Sequence, residues 1–108
     1  FSFDESPDTI ADGVKTWSPS PICFEYIKKI NGVFEISERD IVYFSQLINH
    51  RLKITCEPTS ALAMAGADCY LKGVKKGGRI WVIISGGNIA AATYSKIWRE
   101  DYLGDILS

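Results

Sequence analysis

Ser85, Gly86, Gly87 and Asn88 follow directly on the apolar run Ile80–Ile84. A hydroxyl at the end of a buried strand suits a ligand held at the carboxyl edge of an open sheet. The two glycines let such a ligand approach the backbone, and the amides of a following helix N-terminus can meet an anion. The same residues also make an ordinary tight strand-to-helix turn with Asn88 as N-cap. They form neither a Gly-x-Ser-x-Gly nucleophile elbow nor a Walker phosphate loop, since no Gly-Lys-Ser/Thr follows. Two further segments carry groups with possible chemistry. In Cys56–Ala61 the carboxylate of Glu57 stands just before a helix, where the dipole favours negative charge and a plain capping role is available. In Thr9–Lys15 the pair Asp12-Gly13 is a turn signature, and Lys15, alone in a loop, reads as a solvated amine.

Four helices and two strands must position these groups. Phe1–Pro21 holds Pro7, Gly13, Pro19 and Pro21 and reads as extended or looped chain. Ile22–Ile30 reads as a short helix, with Pro21 in its first turn and Ile22, Tyr26, Ile27 and Ile30 on one stripe. Val33–Ile36 reads as a short strand. Ser37-Glu38-Arg39-Asp40 approximates a capping box, and Ile41, Phe44, Ile48 and Leu52 follow at helical spacing, so a helix runs to about Arg51. Pro58 starts the next helix at its first position. Ala61, Ala63, Ala65 and Ala67 let that helix approach a neighbour closely, and Gly73 stops it. Lys75-Lys76-Gly77-Gly78 reads as a solvated basic corner. Arg79–Ile84 is β-branched and continuous, as in a strand buried on both faces. Ile89–Tyr102 reads as the last helix. The order implies an α/β fold with an open, mostly parallel sheet flanked by helices. Two strands make only a partial sheet.

Composition narrows the function class. Twelve Lys and Arg against thirteen Asp and Glu give a formal charge of −1, which offers no electrostatic footprint for nucleic acid. The longest strictly apolar runs, Ile80–Ile84 and Ala61–Ala65, are far short of a membrane span. Three cysteines, Cys23, Cys56 and Cys69, are odd in number and never two residues apart, so neither a disulfide framework nor a closed zinc site is expected. They read as reduced and mostly buried, in a reducing cytosol. His50 has no partner motif and reads as a surface or capping residue. The first residue is Phe1 rather than Met, which suggests a piece of a longer polypeptide.

Together the three chemical segments resemble the carboxyl-terminal third of the pyridoxal-phosphate enzymes of the serine/threonine dehydratase and serine racemase family. The matching blocks are Thr9–Lys15, Glu57-Pro58-Thr59 with its small-residue helix, and Ile84–Asn88. Between them, Val33–Ile41 is similar to that family's connector Val-x-x-Val-Ser/Thr-Glu-x-Asp/Glu-Ile. Each block is weak alone, but four stand in order and spacing along nearly the whole chain. The resemblance implies that residues 1–108 are a carboxyl-terminal segment of the cofactor-binding large domain of a fold type II enzyme, with no complete catalytic domain of their own. It implies pyridoxal 5'-phosphate as cofactor, an amino-acid substrate, the rest of the same chain as partner, and a homo-oligomer when intact. Ser85 would hydrogen-bond the pyridine nitrogen and Gly86 would let the backbone pass close to the ring. Glu57 would lie near the pocket, Gly13 would lie in a loop bordering the ring, and Asp12 would help fix that loop.

The departures are as informative. The family's Schiff-base lysine sits in Ser-x-Lys-x-Arg-Gly, and its phosphate cradle has three or four consecutive glycines; this chain has no such motif and no run longer than two glycines. No catalytic residue and no metal ligand is therefore expected within it. The leading expectation is a fragment of an ammonia-lyase that eliminates the β-hydroxyl of threonine, serine or 3-hydroxyaspartate. A serine racemase shares the ring-nitrogen serine. A small non-catalytic α/β binding or regulatory module is the reading from another class.

Overall fold

A computed structural model describes residues 8–16 and 18–104, so the part of the expected Phe1–Pro21 loop at 1–7 and 17 lies outside the described residues. Four helices organise them: α1 (Pro21–Ile27), α2 (Glu38–Leu47), α3 (Pro58–Lys72) and α4 (Ala91–Ile97). Local chemistry sets their starts. The Ser20 hydroxyl accepts the Cys23 N–H and Pro21 takes the first position of α1. Ser37 accepts the Asp40 N–H at 3.1 Å, and Glu38 and Asp40 place negative charge in the first turn of α2. Pro58 opens α3 and Gly73 caps it. Beyond Leu47 the α2 chain widens into a π-helical turn, Ile48–Leu52, which ends at Lys53 in the left-handed region with φ 57°.

The core is the seam between α2 and α3. Phe44 and Ile48 of the α2 segment bury against Cys56, Ala61 and Ala65, with Ile36, Tyr43, Leu47, Met64 and Ile84 packed around them. Ala61 and Ala65 are essentially fully buried, so the small side chains do let α3 approach its neighbour. Leu52, the last member of the anticipated α2 stripe, is about half exposed.

Both anticipated strands are absent: no residue among those described pairs into a sheet. Val33 is 77% exposed and Trp81 94%. Ile36 and Ile84 pack on the core, so segments 33–36 and 79–84 are covered only in part and have no ladder partner among the described residues. A parallel strand is completed by neighbours that reach it through crossover connections, and residue type alone cannot supply them. The α1 stripe of Ile22, Tyr26, Ile27 and Ile30 likewise faces outward. Cys23 is exposed and Cys69 half-buried, leaving Cys56 as the one fully buried thiol of the three.

The last helix also differs from expectation. It is shorter than Ile89–Tyr102, and its N-cap is Ala90, not Asn88. Gln46 explains the early stop. This fully buried side chain donates from Nε2 to the carbonyls of Ile97 and Glu100 and accepts the Tyr102 N–H at Oε1. An uninterrupted helix would use the Ile97 carbonyl for its own next turn. The amide takes it instead and ties residues 97–102 to α2 across more than fifty residues of sequence. Replacing Gln46 by Leu keeps the volume but strands three backbone groups. Denaturant unfolding of the intact protein should show a loss of about 2–4 kcal/mol, and an unchanged midpoint would contradict the assignment.

Candidate functional site

The three segments with possible chemistry meet at the start of α3. The Glu57 N–H donates to the Gly86 carbonyl at 3.1 Å, which ties the Ser85–Asn88 loop to the residue before Pro58. Gly86 has φ 71°, a conformation L side chains rarely adopt, and the Glu57 carboxyl lies against its bare Cα. A Cβ at 86 would fall 2.7 Å from Glu57 Cδ. At Gly87 a Cβ would sit 3.1 Å from the Thr55 carbonyl oxygen. The space a side chain would take at these glycines is filled from within the chain, by Glu57 at Gly86 and by the Thr55 carbonyl at Gly87, and Gly86 is required by its own φ as well.

The third segment arrives from the other side. Asp12–Val14 forms a single three-ten turn, and the Gly13 N–H donates to Thr59 Oγ1 at 3.1 Å. The same loop is held at its start by the Ile10 N–H, which donates to Glu38 Oε2 at 2.8 Å, and by the buried Ala11. A cavity of about 30 Å³, lined in part by Asp12, Glu57, Asn88 and Thr93, marks where the segments converge. It has room for about one water molecule.

Glu57 occupies the N-cap position of α3, yet its side chain makes no capping hydrogen bond. Its carboxyl is turned to the glycine loop, so plain capping does not describe it. Next to it, the Cys56 thiol is pushed above its ordinary pKa, first by burial and second by the charge of Glu57. This thiol stays protonated and inert through neutral pH. Ser85 is exposed at the mouth of the loop. Of the candidate residues, Gly13, Glu57 and Gly86 are therefore gathered around one helix start, with Ser85 beside them. Sequence reading assigned no role to Thr55, Thr59 or Glu38. The Thr59 hydroxyl stood two residues after Glu57 in the matched block, whereas Glu38 carried only a helix-start signal.

The segment thus sets an exposed hydroxyl beside two glycines and a carboxylate. Nothing in the segment supplies an amine in the required motif or a glycine-rich phosphate cradle. Comparison with known proteins gives this partial site its context. The family model "Pyridoxal-phosphate dependent enzyme" matches residues 2–86. The chain belongs to the pyridoxal-phosphate-dependent enzyme family, and pyridoxal phosphate is that family's cofactor. Serine racemase from Schizosaccharomyces pombe is 35% identical over 92 residues, covering 84% of this chain and 28% of that protein. L-threo-3-hydroxyaspartate ammonia-lyase from Saccharomyces cerevisiae is 30% identical over 93 residues, covering 85% of this chain and 28% of that protein. The crystal structure of a T.th. threonine deaminase superposes with a TM-score of 0.63 at 28% identity, over 68% of this chain and 27% of the other. The chain thus spans somewhat more than a quarter of the length of the relatives it matches. No helix among the described residues is long and apolar enough to cross a membrane.

Two measurements check this geometry. Gly86→Ala should cost about 2–4 kcal/mol, from the left-handed backbone and the overlap with Glu57. Gly77→Ala, where a Cβ meets nothing within 4 Å, should change stability by less than about 0.5 kcal/mol. Equal effects in thermal melts would refute the packing of Glu57 on Gly86. Thiol labelling at mild alkaline pH should modify Cys23 first and Cys56 only on unfolding. Because the Cys56 pKa is raised in the folded state, its protonated form is the native-stabilising one. That contribution is complete below the ordinary thiol range and fades as pH rises through the raised value. Labelling of Cys56 as fast as Cys23 would contradict its burial.

Proposed function

We propose that this chain is the ring-nitrogen side of the cofactor pocket of an ammonia-lyase that removes the β-hydroxyl of a small hydroxy amino acid. Threonine, serine and 3-hydroxyaspartate are the candidate substrates, and a keto acid and ammonia are the products. The observation that carries the reading is the meeting of Ser85–Gly87, Glu57 and Gly13 at the start of α3, from blocks far apart in the sequence. The likeness to a hydroxyaspartate ammonia-lyase and to a threonine deaminase supports the reaction class.

When bound, pyridoxal phosphate supplies an electron-withdrawing ring that stabilises negative charge at the substrate α-carbon. Ser85 is assigned to the ring nitrogen. A neutral hydroxyl there leaves the nitrogen less protonated than a carboxylate partner would, so the ring withdraws less charge. Early departure of a β-hydroxyl suits that weaker pull. Gly86 and Gly87 let the backbone of the loop pass close to the ring, and Glu57 packs on the bare Cα of Gly86. Gly13 and Asp12 form the loop on the opposite border. The Schiff-base lysine and the phosphate cradle are assigned to the rest of the enzyme, with which these residues form one large domain of fold type II. In that domain 33–36 and 79–84 join a partial open, mostly parallel sheet, and the helices that flank it cover the exposed Val33, Trp81 and Ile83. The intact enzyme is proposed as a cytoplasmic homo-oligomer.

Serine racemase is the second reading, favoured by the 35% identity to the fission-yeast enzyme. Product analysis separates the two: keto acid and ammonia as the main products support the lyase, and D-serine from L-serine supports the racemase. In the intact protein, Ser85→Ala should weaken cofactor binding about tenfold, as expected for a lost hydrogen bond to a polar partner, and slow turnover. Ser85→Asp should shift the spectrum of the bound cofactor and raise side reactions. Unchanged cofactor affinity and turnover in Ser85→Ala would rule out the role given to this hydroxyl. A small non-catalytic module would bind no pyridoxal phosphate in the intact protein at all.

A further inference from the structure

Thr59 is the second residue of a fifteen-residue helix whose N-cap is Glu57, so its hydroxyl is not placed to cap the helix's own first amides. Here its Oγ1 accepts the Gly13 N–H, from a residue 46 positions earlier. The whole side chain, not the oxygen alone, is spent on that loop. A Cβ on Gly13 would fall 2.7 Å from Thr59 Oγ1, 3.1 Å from its Cγ2 and 3.3 Å from its Cβ. Two residues before Thr59, the Glu57 N–H holds the Gly86 carbonyl. One rigid helix start therefore fixes both loops at once, and the Pro58 ring between the two contacts restricts the backbone that joins them.

We infer that Thr59 is a positioning residue that sets the Asp12–Val14 turn against the Ser85–Gly87 loop, so that the two borders of the cofactor pocket are already in place before the cofactor arrives. The inference rests on the pocket reading above. Glu38 acts on the same loop from α2, through the Ile10 N–H at 2.8 Å. Neither side chain need touch the cofactor for this role. Both act by sparing the binding step the entropy of ordering the loop.

The test uses the intact protein in its apo form, titrated with pyridoxal 5'-phosphate. Hydrogen exchange at the Gly13 amide is followed in parallel. Thr59→Val keeps the shape and the methyl contact and removes the acceptor. It should speed Gly13 exchange and raise the Kd for pyridoxal phosphate about five- to tenfold, the size of one lost hydrogen bond. Thr59→Ser restores the oxygen and should recover most of the affinity, which a merely structural packing role would not produce. Should Thr59→Val fail to fold, Glu38→Ala carries the same test, loosening the loop without touching α3. Wild-type binding with unchanged affinity in the folded Val variant overturns the positioning role alone. A wild-type protein that binds no pyridoxal phosphate overturns both this inference and the pocket reading beneath it.

Discussion

The hydrogen bond from the Glu57 N–H to the Gly86 carbonyl is the constraint on which the site depends. It joins the start of α3 to a loop almost thirty residues further along the chain. The contact is possible only because Gly86 adopts φ 71° and carries no Cβ where the Glu57 carboxyl lies. With the loop held there, Gly87 rests against the Thr55 carbonyl and Ser85 stands at the open edge. The Gly13 turn is then drawn in by Thr59, two residues along the same helix start. A helix start is well suited to this work, because its first amides have no partners within the helix and its backbone is stiff.

Packing keeps that helix start where it is. The α2 and α3 seam buries Phe44 and Ile48 against Ala61 and Ala65, so the axis of α3 is fixed by close contact of small and large side chains. Ile84 reaches the same cluster, which places the end of segment 79–84, and hence Ser85, relative to the core. At the far side Gln46 anchors the chain after α4 with three hydrogen bonds to backbone groups. The residues with chemical capacity lie on loops, and each loop is tied to α2 or α3.

Legibility from sequence followed the range of the forces involved. The starts of α1, α2 and α3 were readable because Pro21, Ser37 and Pro58 act within a few residues of themselves. The blocks that carry Gly13, Glu57, Ser85 and Gly86 could be picked out because they stand in family order, and the structure brings them together at the start of α3. The end of α4 was hidden, since its cause is a glutamine more than fifty residues upstream. Neither anticipated strand is formed among the described residues, for a related reason. Segment 79–84 has the composition of a buried strand, but a strand exists only through a neighbour, and none lies among the described residues.

What the sequence determined by itself was local: helix starts, the bare backbone at Gly86 and Gly87, a buried stripe on α2, and membership of an enzyme family. Only the tertiary structure decided that Glu57 faces a glycine instead of capping its helix, and that Thr59 and Glu38 hold the Gly13 loop. The physical reason is one of distance along the chain. Capping and helical periodicity are written in residues three or four apart. The contacts that assemble this pocket join residues 28 and 46 positions apart, and they form only after α2 and α3 have packed.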